Sequence, residues 1–221
     1  MKDRIFIIDG SSYLYRAYHA MPPLTASSGQ PTGAIKGVTN MLMTLKKESE
    51  GSPIIVTFDA KGKTFRSDIY EEYKANRPPM PDDLREQLAP LKEICKAIGF
   101  PLIEIEGVEA DDVIATLVKI AKENNFKSVI SSLDKDLMQL VEDPISSIMN
   151  TMTHQIFNEE KVFEKFGVKP SQIRDMLALV GDTSDNIPGV PKVGQKTAAK
   201  WLNEFGDLDG IRKNADSIKG V

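Results

Sequence analysis

Short apolar runs that end in aspartate recur along the chain and set its predicted architecture. They span residues 4–9, 53–59 and 127–134, and a further apolar run covers residues 101–105. Each run has the length and the apolar content of a buried β-strand. Apolar residues at helical spacing lie between them, at about 33–48, 84–98 and 112–123. This alternation predicts an α/β fold with a mostly parallel central sheet flanked by helices.

Acidic residues cluster where the predicted strands end and where the next helix begins. The carboxyl ends of parallel strands share one edge of a sheet, where open α/β folds bind their ligands. Crowded carboxylates repel one another unless cations neutralise them or raised pKa values keep some protonated, so we expect a metal site at this edge. Capping of a helix N-terminus is the alternative for Asp111 and Asp112. The acids at this edge are Asp9, Asp59, Glu109, Asp111, Asp112, Asp134 and Asp136.

Cations and aromatic rings alternate in the stretch that follows Asp59. Tyr70, Tyr73, Lys74 and Arg77 follow i, i+3, i+4 and i+7 spacing, which predicts one shared helix face that ends at the prolines after Arg77. Cations pair with phosphates and rings stack on bases, so this face suits a nucleic-acid strand. A solvated surface helix is the alternative. The further basic residues of the stretch are Lys61, Lys63 and Arg66.

Residues 187–200 predict a glycine-containing hairpin that leads into a helix. No acid occurs from residue 187 to residue 203, and three lysines in this stretch are spaced about one helical turn apart. Backbone N–H groups at such a hairpin and at a helix N-terminus bind phosphates without reading bases. We therefore expect contacts with a nucleic-acid backbone from Gly189, Lys192, Gly194, Lys196, Thr197 and Lys200.

Length and composition are compatible with this prediction. The chain has 221 residues, a formal net charge of −4 and one cysteine, Cys95, which cannot form an internal disulfide. No stretch approaches the roughly 20 apolar residues that a transmembrane helix needs, and residues 1–4 lead into a strand without a signal-peptide pattern. We expect a cytoplasmic protein with no membrane partner. Residues 27–37 are rich in glycine but lack the Gly-Lys-Ser/Thr ending of a nucleotide-binding loop.

Five motifs in this order resemble the 5'-nuclease (5'-3' exonuclease) domain of bacterial DNA polymerase I, in the flap endonuclease family. They lie at residues 9–19, 58–66, 107–113, 134–136 and 181–189. The resemblance implies a PIN-like, flap-endonuclease-like fold with a helical arch at about 61–81 and a helix-hairpin-helix near 186–202. It divides the chain into a nuclease core, 1–170, and a DNA-binding region, 171–221, truncated at its C-terminus. Leu133 and Asn76 depart from the glycine and histidine common in the family.

The resemblance also implies roles for individual residues. Tyr73, Lys74 and Arg77 match arch residues that orient the strand and neutralise the scissile phosphate, and Arg16 matches a basic residue near the cut strand. The first metal site is expected to use Asp9, Asp59, Glu109, Asp111 and Asp112, and the second Asp134, Asp136, Asp182 and Asp185, with some sharing between the two sites.

Oxygen ligands of this kind suit two or more Mg²⁺ ions, with Mn²⁺ as a substitute. A K⁺ ion at the helix-hairpin-helix is a further expectation. The implied function is metal-dependent 5'-3' exonuclease and 5'-flap endonuclease action on DNA in replication and repair, as in Okazaki fragment processing. We expect a monomer at the bacterial nucleoid, followed by polymerase domains in a parent protein. An RNA-directed nuclease and a non-catalytic DNA-binding scaffold are the alternatives.

Overall fold

A six-stranded sheet with the strand order β3-β2-β1-β4-β5-β6 organises the chain. The computed structural model describes residues 3–218, so the predicted truncation, which concerns residues 219–221, lies outside the described residues. Neighbouring strands are parallel except for the antiparallel pair β5 and β6. The strands are β1 Arg4–Asp9, β2 Ile54–Thr57, β3 Leu102–Ile103, β4 Lys127–Ser131, β5 Ser146–Met149 and β6 Ile156–Phe157.

Strand β1 lies in the middle of the sheet because its apolar side chains serve both faces. Phe6 and Ile8 belong to one hydrophobic core, while Ile7 between them belongs to the other. A parallel strand covered on both faces reads as a continuous apolar run. Asp9, at the end of β1, therefore emerges between two packed layers.

Helices cover both faces of the sheet. Helices α1 Gly10–Ala20, α2 Gly33–Glu48 and α4 Asp82–Ile98 pack in the core that contains Phe6 and Ile8. Helix α5 Ala110–Glu123 packs in the other core with Ile7. The predicted bounds of α2 are confirmed, and α4 and α5 each begin two residues earlier than predicted.

The C-terminal region packs into the same core as α5. Buried Trp201, Leu202 and Ile211 anchor it there. A short 3-10 turn, Pro170–Gln172, precedes α7, and an antiparallel hairpin of β7 and β8 joins α7 to α8. The elements are α6 Glu159–Phe166, α7 Ile173–Val180, β7 Gly181–Asp182, β8 Ile187–Pro188, α8 Gln195–Phe205 and α9 Leu208–Lys213, with further 3-10 turns at Asp136–Leu140 and Ala215–Ser217.

The arch, residues 61–81, differs from its prediction. Its helix α3 spans Phe65–Ile69, and residues 71–77 form turns in which Lys74 has φ +56°. A shared helix face for Tyr70, Tyr73, Lys74 and Arg77 is therefore wrong. Bonds to residues 183–186 replace helical ones, since Lys74 N donates to the carbonyl oxygen of Asp185 at 3.0 Å. Among residues 3–218, no helix is long and apolar enough to cross a membrane.

Candidate metal centre

A cleft of about 340 Å³, here called the main cleft, lies where the central strands end. Asp9 ends β1, Asp59 follows β2, Asp134 follows β4, and α5 begins beside Glu109. The carboxylates that line the main cleft are Asp9, Asp59, Glu109, Asp111 and Asp134. The structure thus brings five of the seven acids predicted at this edge into one cleft, while Asp112 and Asp136 do not line it.

Local hydrogen bonds hold the carboxylates of β1 and β2 in place. Asp9 caps α1, since its Oδ1 accepts from Ser12 N at 2.9 Å, and its Oδ2 accepts from Ser132 Oγ at 2.7 Å. The Oδ1 atom of Asp59 accepts from Ala110 N at 2.8 Å, which ties the end of β2 to the start of α5. These bonds fix the carboxylates before any ligand arrives.

Burial, followed by like charges, raises the pKa values of two carboxyl groups in the main cleft. Burial raises the pKa of Asp111 to about 8, and Asp134, Asp9 and Asp59 raise it further. Burial also raises the pKa of Asp9 to about 6, against hydrogen bonds from Ser12 and Ser132. A bound divalent ion would reverse this situation, because its charge favours the ionised carboxylates.

A second cluster consists of Asp136, Asp182 and Asp185, whose ligand oxygens lie within 4.8 Å of one another. Burial raises the pKa of Asp136 to about 6, with contributions from Asp134, Asp182 and Asp185. Within residues 3–218, Asp136 Oδ1 is buried and has no hydrogen-bond partner. Buried polar atoms are normally bonded, so this oxygen fits a cation ligand.

Asp182 differs electrostatically from its two neighbours. Burial acts to raise its pKa, but hydrogen bonds from Ser184 and Lys135 outweigh burial and hold the pKa below its ordinary value. The Lys135 Nζ atom lies 3.1 Å from Asp182 Oδ2. Asp182 is therefore ionised at neutral pH and already paired with a cation.

Asp134 lines the main cleft, and the resemblance placed it in the second site with some sharing of ligands between the two sites. Its assignment to one site or the other stays a prediction. Its Oδ1 accepts from Asp136 N at 2.8 Å, while the Asp136 carboxyl group belongs to the second cluster. A smaller cavity of about 190 Å³ is lined by residues of both groups, among them Asp111, Asp136 and Asp185. The two clusters are therefore neighbours.

Asp112 does not line the main cleft, and its carboxylate is hydrogen-bonded to Arg66 and Glu109 instead. Arg66 binds both of its oxygens, at 2.6 and 2.8 Å, and Glu109 N donates to it at 3.0 Å. The Arg66 guanidinium is the main reason why the pKa of Asp112 lies below its ordinary value. This geometry matches the helix-capping alternative for Asp112. It also gives Arg66, which was predicted to contact DNA, an intramolecular partner.

Three arch residues reach carboxylates of both groups. Lys74 Nζ lies 2.7 Å from Glu109 Oε1, and Arg77 lies 2.5 Å from Asp185 Oδ1. The Tyr73 hydroxyl donates to Glu109 and to Asp185, both at 3.0 Å. Burial, followed by these two carboxylates, raises the pKa of Tyr73. Side chains predicted to neutralise a phosphate thus neutralise the acids here.

The remaining predicted residues lie outside the two clusters. Arg16 donates to Thr151 Oγ1 and does not line the main cleft. Lys192 precedes α8 with φ +65°, so the predicted helical spacing holds for Lys196 and Lys200 alone. Thr197 is half-buried in α8, Gly189 follows β8 and Gly194 caps α8. The exposed lysines of the predicted DNA contacts are Lys61, Lys63, Lys192, Lys196 and Lys200.

Sequence reasoning missed the groups that support the carboxylates. Ser132 bonds Asp9, Ser184 bonds Asp182 at 2.8 Å, and Lys135 pairs with Asp182. Lys135 could have been found, because it stands between two aspartates of one motif. The serines carry no comparable signal, since serine is common in turns.

Two family models together match residues 4–221. The 5'-3' exonuclease N-terminal resolvase-like domain matches residues 4–167, and the 5'-3' exonuclease C-terminal SAM fold matches residues 168–221. The chain belongs to the 5'-3' exonuclease family. The boundary between the two matches lies close to the predicted domain boundary at residue 170, which stays a prediction.

Relatives in the family are similar over nearly the whole chain. DNA polymerase I of Pseudomonas aeruginosa is 56% identical over 97% of this chain and 23% of that protein. A 5'-3' exonuclease of Aquifex aeolicus is 47% identical over 97% of this chain and 74% of that protein. The chain therefore spans less than a quarter of the polymerase relative and about three quarters of the exonuclease relative.

Solved structures of phage T5 proteins have the same fold. The T5 5'-exonuclease with bound zinc has a TM-score of 0.83 at 27% identity, covering 98% of this chain and 80% of that chain. A T5 flap endonuclease complex with DNA and metal ions has a TM-score of 0.81 at 27% identity, with the same coverage. The predicted family resemblance, α/β fold class and nuclease class of this 5'-3' exonuclease family member are confirmed.

Proposed function

We propose that this chain hydrolyses DNA phosphodiester bonds at a 5' flap or a 5' end, using divalent metal ions. The observation that carries the proposal is the pair of adjacent carboxylate clusters, together with the arch cations that reach both. Relatives named as a 5'-3' exonuclease and a flap endonuclease with DNA and metal ions support it. Replication and repair, including Okazaki fragment processing, are the roles that fit such a substrate.

The carboxylates fit hard cations, for which Mg²⁺ is the proposed ion and Mn²⁺ the substitute. Asp9, Asp59, Asp111 and Asp134 would hold ions at the main cleft, with Glu109 between the groups. Asp136, Asp182 and Asp185 would hold ions at the second cluster. Two bound ions would supply hydroxide at neutral pH and stabilise the departing oxygen.

The cationic side chains would bind and orient the DNA strand. Lys74 and Arg77 can exchange their present carboxylate partners for a phosphate once a metal ion neutralises those acids. Exposed Lys196 and Lys200 on α8 would pair with phosphates of the duplex, as would backbone N–H groups of the hairpin before α8. A K⁺ ion at that hairpin belongs to the same proposal.

The proposed parent protein carries polymerase domains, as in the relatives named DNA polymerase I, of which this chain spans only a part. A monomer that works at the bacterial nucleoid is the proposed state. The RNA-directed alternative predicts that an RNA flap is cut at least as fast as a DNA flap of the same sequence.

The experiment is cleavage of a 5'-flap DNA duplex by the purified chain with Mg²⁺, with binding measured in parallel. Asp134→Asn should abolish cleavage and retain binding, because Asp134 lines the main cleft. Lys196→Ala should weaken binding several-fold and lower its salt dependence by about one phosphate contact. Asp209→Asn, an exposed acid of α9, is the matched control and should change neither. Binding without any cut by the wild type would favour the scaffold alternative.

A further inference from the structure

Lys135 lies in the turn after β4 and forms an ion pair with an acid of the second cluster. Its Nζ atom lies 3.1 Å from Asp182 Oδ2. The other oxygen of Asp182, Oδ1, accepts from Ser184 Oγ at 2.8 Å and from Ser184 N at 2.9 Å. Both carboxylate oxygens of Asp182 therefore have partners within the chain. A metal ion that used Oδ2 would approach a positive charge.

An ion bound to Asp182 Oδ2 and the Lys135 ammonium would be close neighbours. Mg²⁺ lies about 2.1 Å from its oxygen ligands, so the ion would be at most about 5 Å from Nζ in its present position. The Asp182 side chain is only 8% exposed, so little water screens the two cations and they repel each other. Ion binding through this oxygen therefore requires the ammonium to move away.

The backbone of Lys135 is held in place, whereas its side chain has room to move. Asp134 N donates to Ser132 Oγ at 3.0 Å, and Asp136 N donates to Asp134 Oδ1 at 2.8 Å. The Lys135 carbonyl oxygen accepts from Met138 N at 3.0 Å. The Lys135 side chain is 41% exposed and has a flexible four-carbon stem. The ammonium can thus leave Asp182 for solvent and return without a change of fold.

The other two acids of the second cluster are paired differently. Arg77 of the arch lies 2.5 Å from Asp185. Within residues 3–218, Asp136 has no ion-pair partner, and its Oδ1 atom has no hydrogen-bond partner. Asp136 is therefore the ligand most accessible to an arriving ion. Arg77 can leave with the arch, but Lys135 belongs to the turn after β4, so its position does not depend on the arch.

We infer that Lys135 competes with the metal ion for the second cluster, since its ammonium pairs with Asp182 when no ion is bound and leaves when an ion binds. The inference deepens the proposed function and rests on it for the identity of the ion. Only the fraction of molecules with the pair open offers Asp182 to the ion, and the apparent affinity falls by that fraction. Lys135 thereby raises the Mg²⁺ concentration at which the second cluster fills.

The test measures Mn²⁺ binding to the full chain by electron paramagnetic resonance, without DNA. Lys135→Met removes the charge and keeps a side chain of similar length, so it should tighten Mn²⁺ binding at the second cluster about tenfold. Lys135→Arg, which keeps the charge, should bind Mn²⁺ as the wild type does. Lys122→Met is the matched control, because Lys122 is an exposed lysine that pairs with Glu142 at 2.6 Å, outside both clusters.

The sign of the change separates competition from a merely structural role. If Lys135 only held the β7–β8 hairpin in place, its removal would loosen the cluster and weaken Mn²⁺ binding. In an Asp136→Asn background, which lacks a ligand of the second cluster, Lys135→Met should give no gain. Unchanged or weaker binding in Lys135→Met, or an equal gain in the Asp136→Asn background, would overturn the inference.

Thermal unfolding provides an independent readout. With a chelator present, Lys135→Met should melt about 3 °C below the wild type, because Asp182 loses its counter-charge. With saturating Mn²⁺ the two should melt together, and a deficit that persisted there would contradict competition. Cleavage of a 5' flap by the wild type in Mg²⁺ tests the proposed function separately. Mn²⁺ binding needs no cleavage, so the failure of one leaves the other intact.

Discussion

Asp111 lowers the free energy of unfolding of the metal-free chain at neutral pH. Burial beside Asp9, Asp59 and Asp134 raises its pKa to about 8, whereas an aspartate in an unfolded chain titrates near 3.9. Between these values the native chain binds more protons than the unfolded chain. The free energy of unfolding therefore falls as pH rises through this window.

Asp111→Asn should stabilise the metal-free chain, and the gain should grow as pH rises from about 4 to 8. At pH 8 we expect an increase in melting temperature of roughly 5 °C. Thermal unfolding in the presence of a chelator at pH 5 and pH 8 measures it. Asp68→Asn, an exposed acid of the arch, should give no such pH-dependent gain. A gain for Asp111→Asn that is equal at both pH values would contradict the assigned cause.

Asp112 provides a sharp contrast at the neighbouring position. Because Arg66 occupies both of its oxygens, Asp112→Asn should leave the number of bound Mn²⁺ ions unchanged while it loosens the arch. Asp111→Asn should reduce the affinity for Mn²⁺ at least tenfold. Titration followed by electron paramagnetic resonance separates the two, and equal losses for both variants would return Asp112 to the metal ligands.

At the scale of elements, the arch is held to the β7–β8 hairpin by hydrogen bonds rather than by a core. Asn76 Nδ2 donates to the carbonyl oxygen of Thr183 at 2.7 Å, and Asn186 Nδ2 donates to that of Glu72 at 2.8 Å. Such exposed bonds contribute only about 1 kcal/mol each to stability. The arch should therefore open far more often than the sheet does.

Asn76→Ala should increase hydrogen exchange in residues 72–77 about fivefold without lowering the melting temperature. The physical reason is the loss of one bond that closes the arch on the hairpin, while both cores remain intact. Exchange followed by mass spectrometry measures it, with Asn40→Ala on α2 as the control. Unchanged exchange in the Asn76→Ala variant would mean that the ion pairs of Lys74 and Arg77 alone keep the arch closed.

The arch also shows where sequence periodicity fails. Helix α2 was predicted with its observed bounds because its apolar face packs against α1 and α4 in the hydrophobic core, and packing of that kind imposes the period of 3.6 residues. Tyr70, Tyr73, Lys74 and Arg77 have a similar spacing but no core beneath them. Tyr73, Lys74 and Arg77 are held instead by contacts with Glu109 and Asp185, which are distant in sequence. Local pattern contains no information about such partners.

At the scale of the whole molecule, the order of strands explains how much of the site could be predicted. Aspartates at strand ends had to meet at one edge, because β2, β1 and β4 are parallel neighbours. The grouping of the acids could not be predicted, since it depends on a single turn between Asp134 and Asp136. The serines that donate hydrogen bonds to the carboxylates could not be predicted either, because their positions depend on the three-dimensional fold of the chain.

The β7–β8 hairpin owes its position to a close backbone approach at Gly189. A Cβ atom there would lie 2.2 Å from the Val180 carbonyl oxygen, and the chain would have to move. Gly189→Ala should therefore displace Asp182 and Asp185 and weaken Mn²⁺ binding at least tenfold at the second cluster. Gly194→Ala is the matched control, because an added Cβ there meets no atom within 4 Å and φ is −100°. Equal Mn²⁺ affinity of the two variants would contradict this account.

The same hairpin places Asp182 and Asp185 in the part of the chain that the C-terminal family model matches, while the other acids lie in the N-terminal part. The full set of candidate metal ligands is therefore assembled only while the two parts stay packed together through Trp201 and Leu202. Because both parts supply carboxylates, a change in how they pack against each other would change the distance between the two clusters.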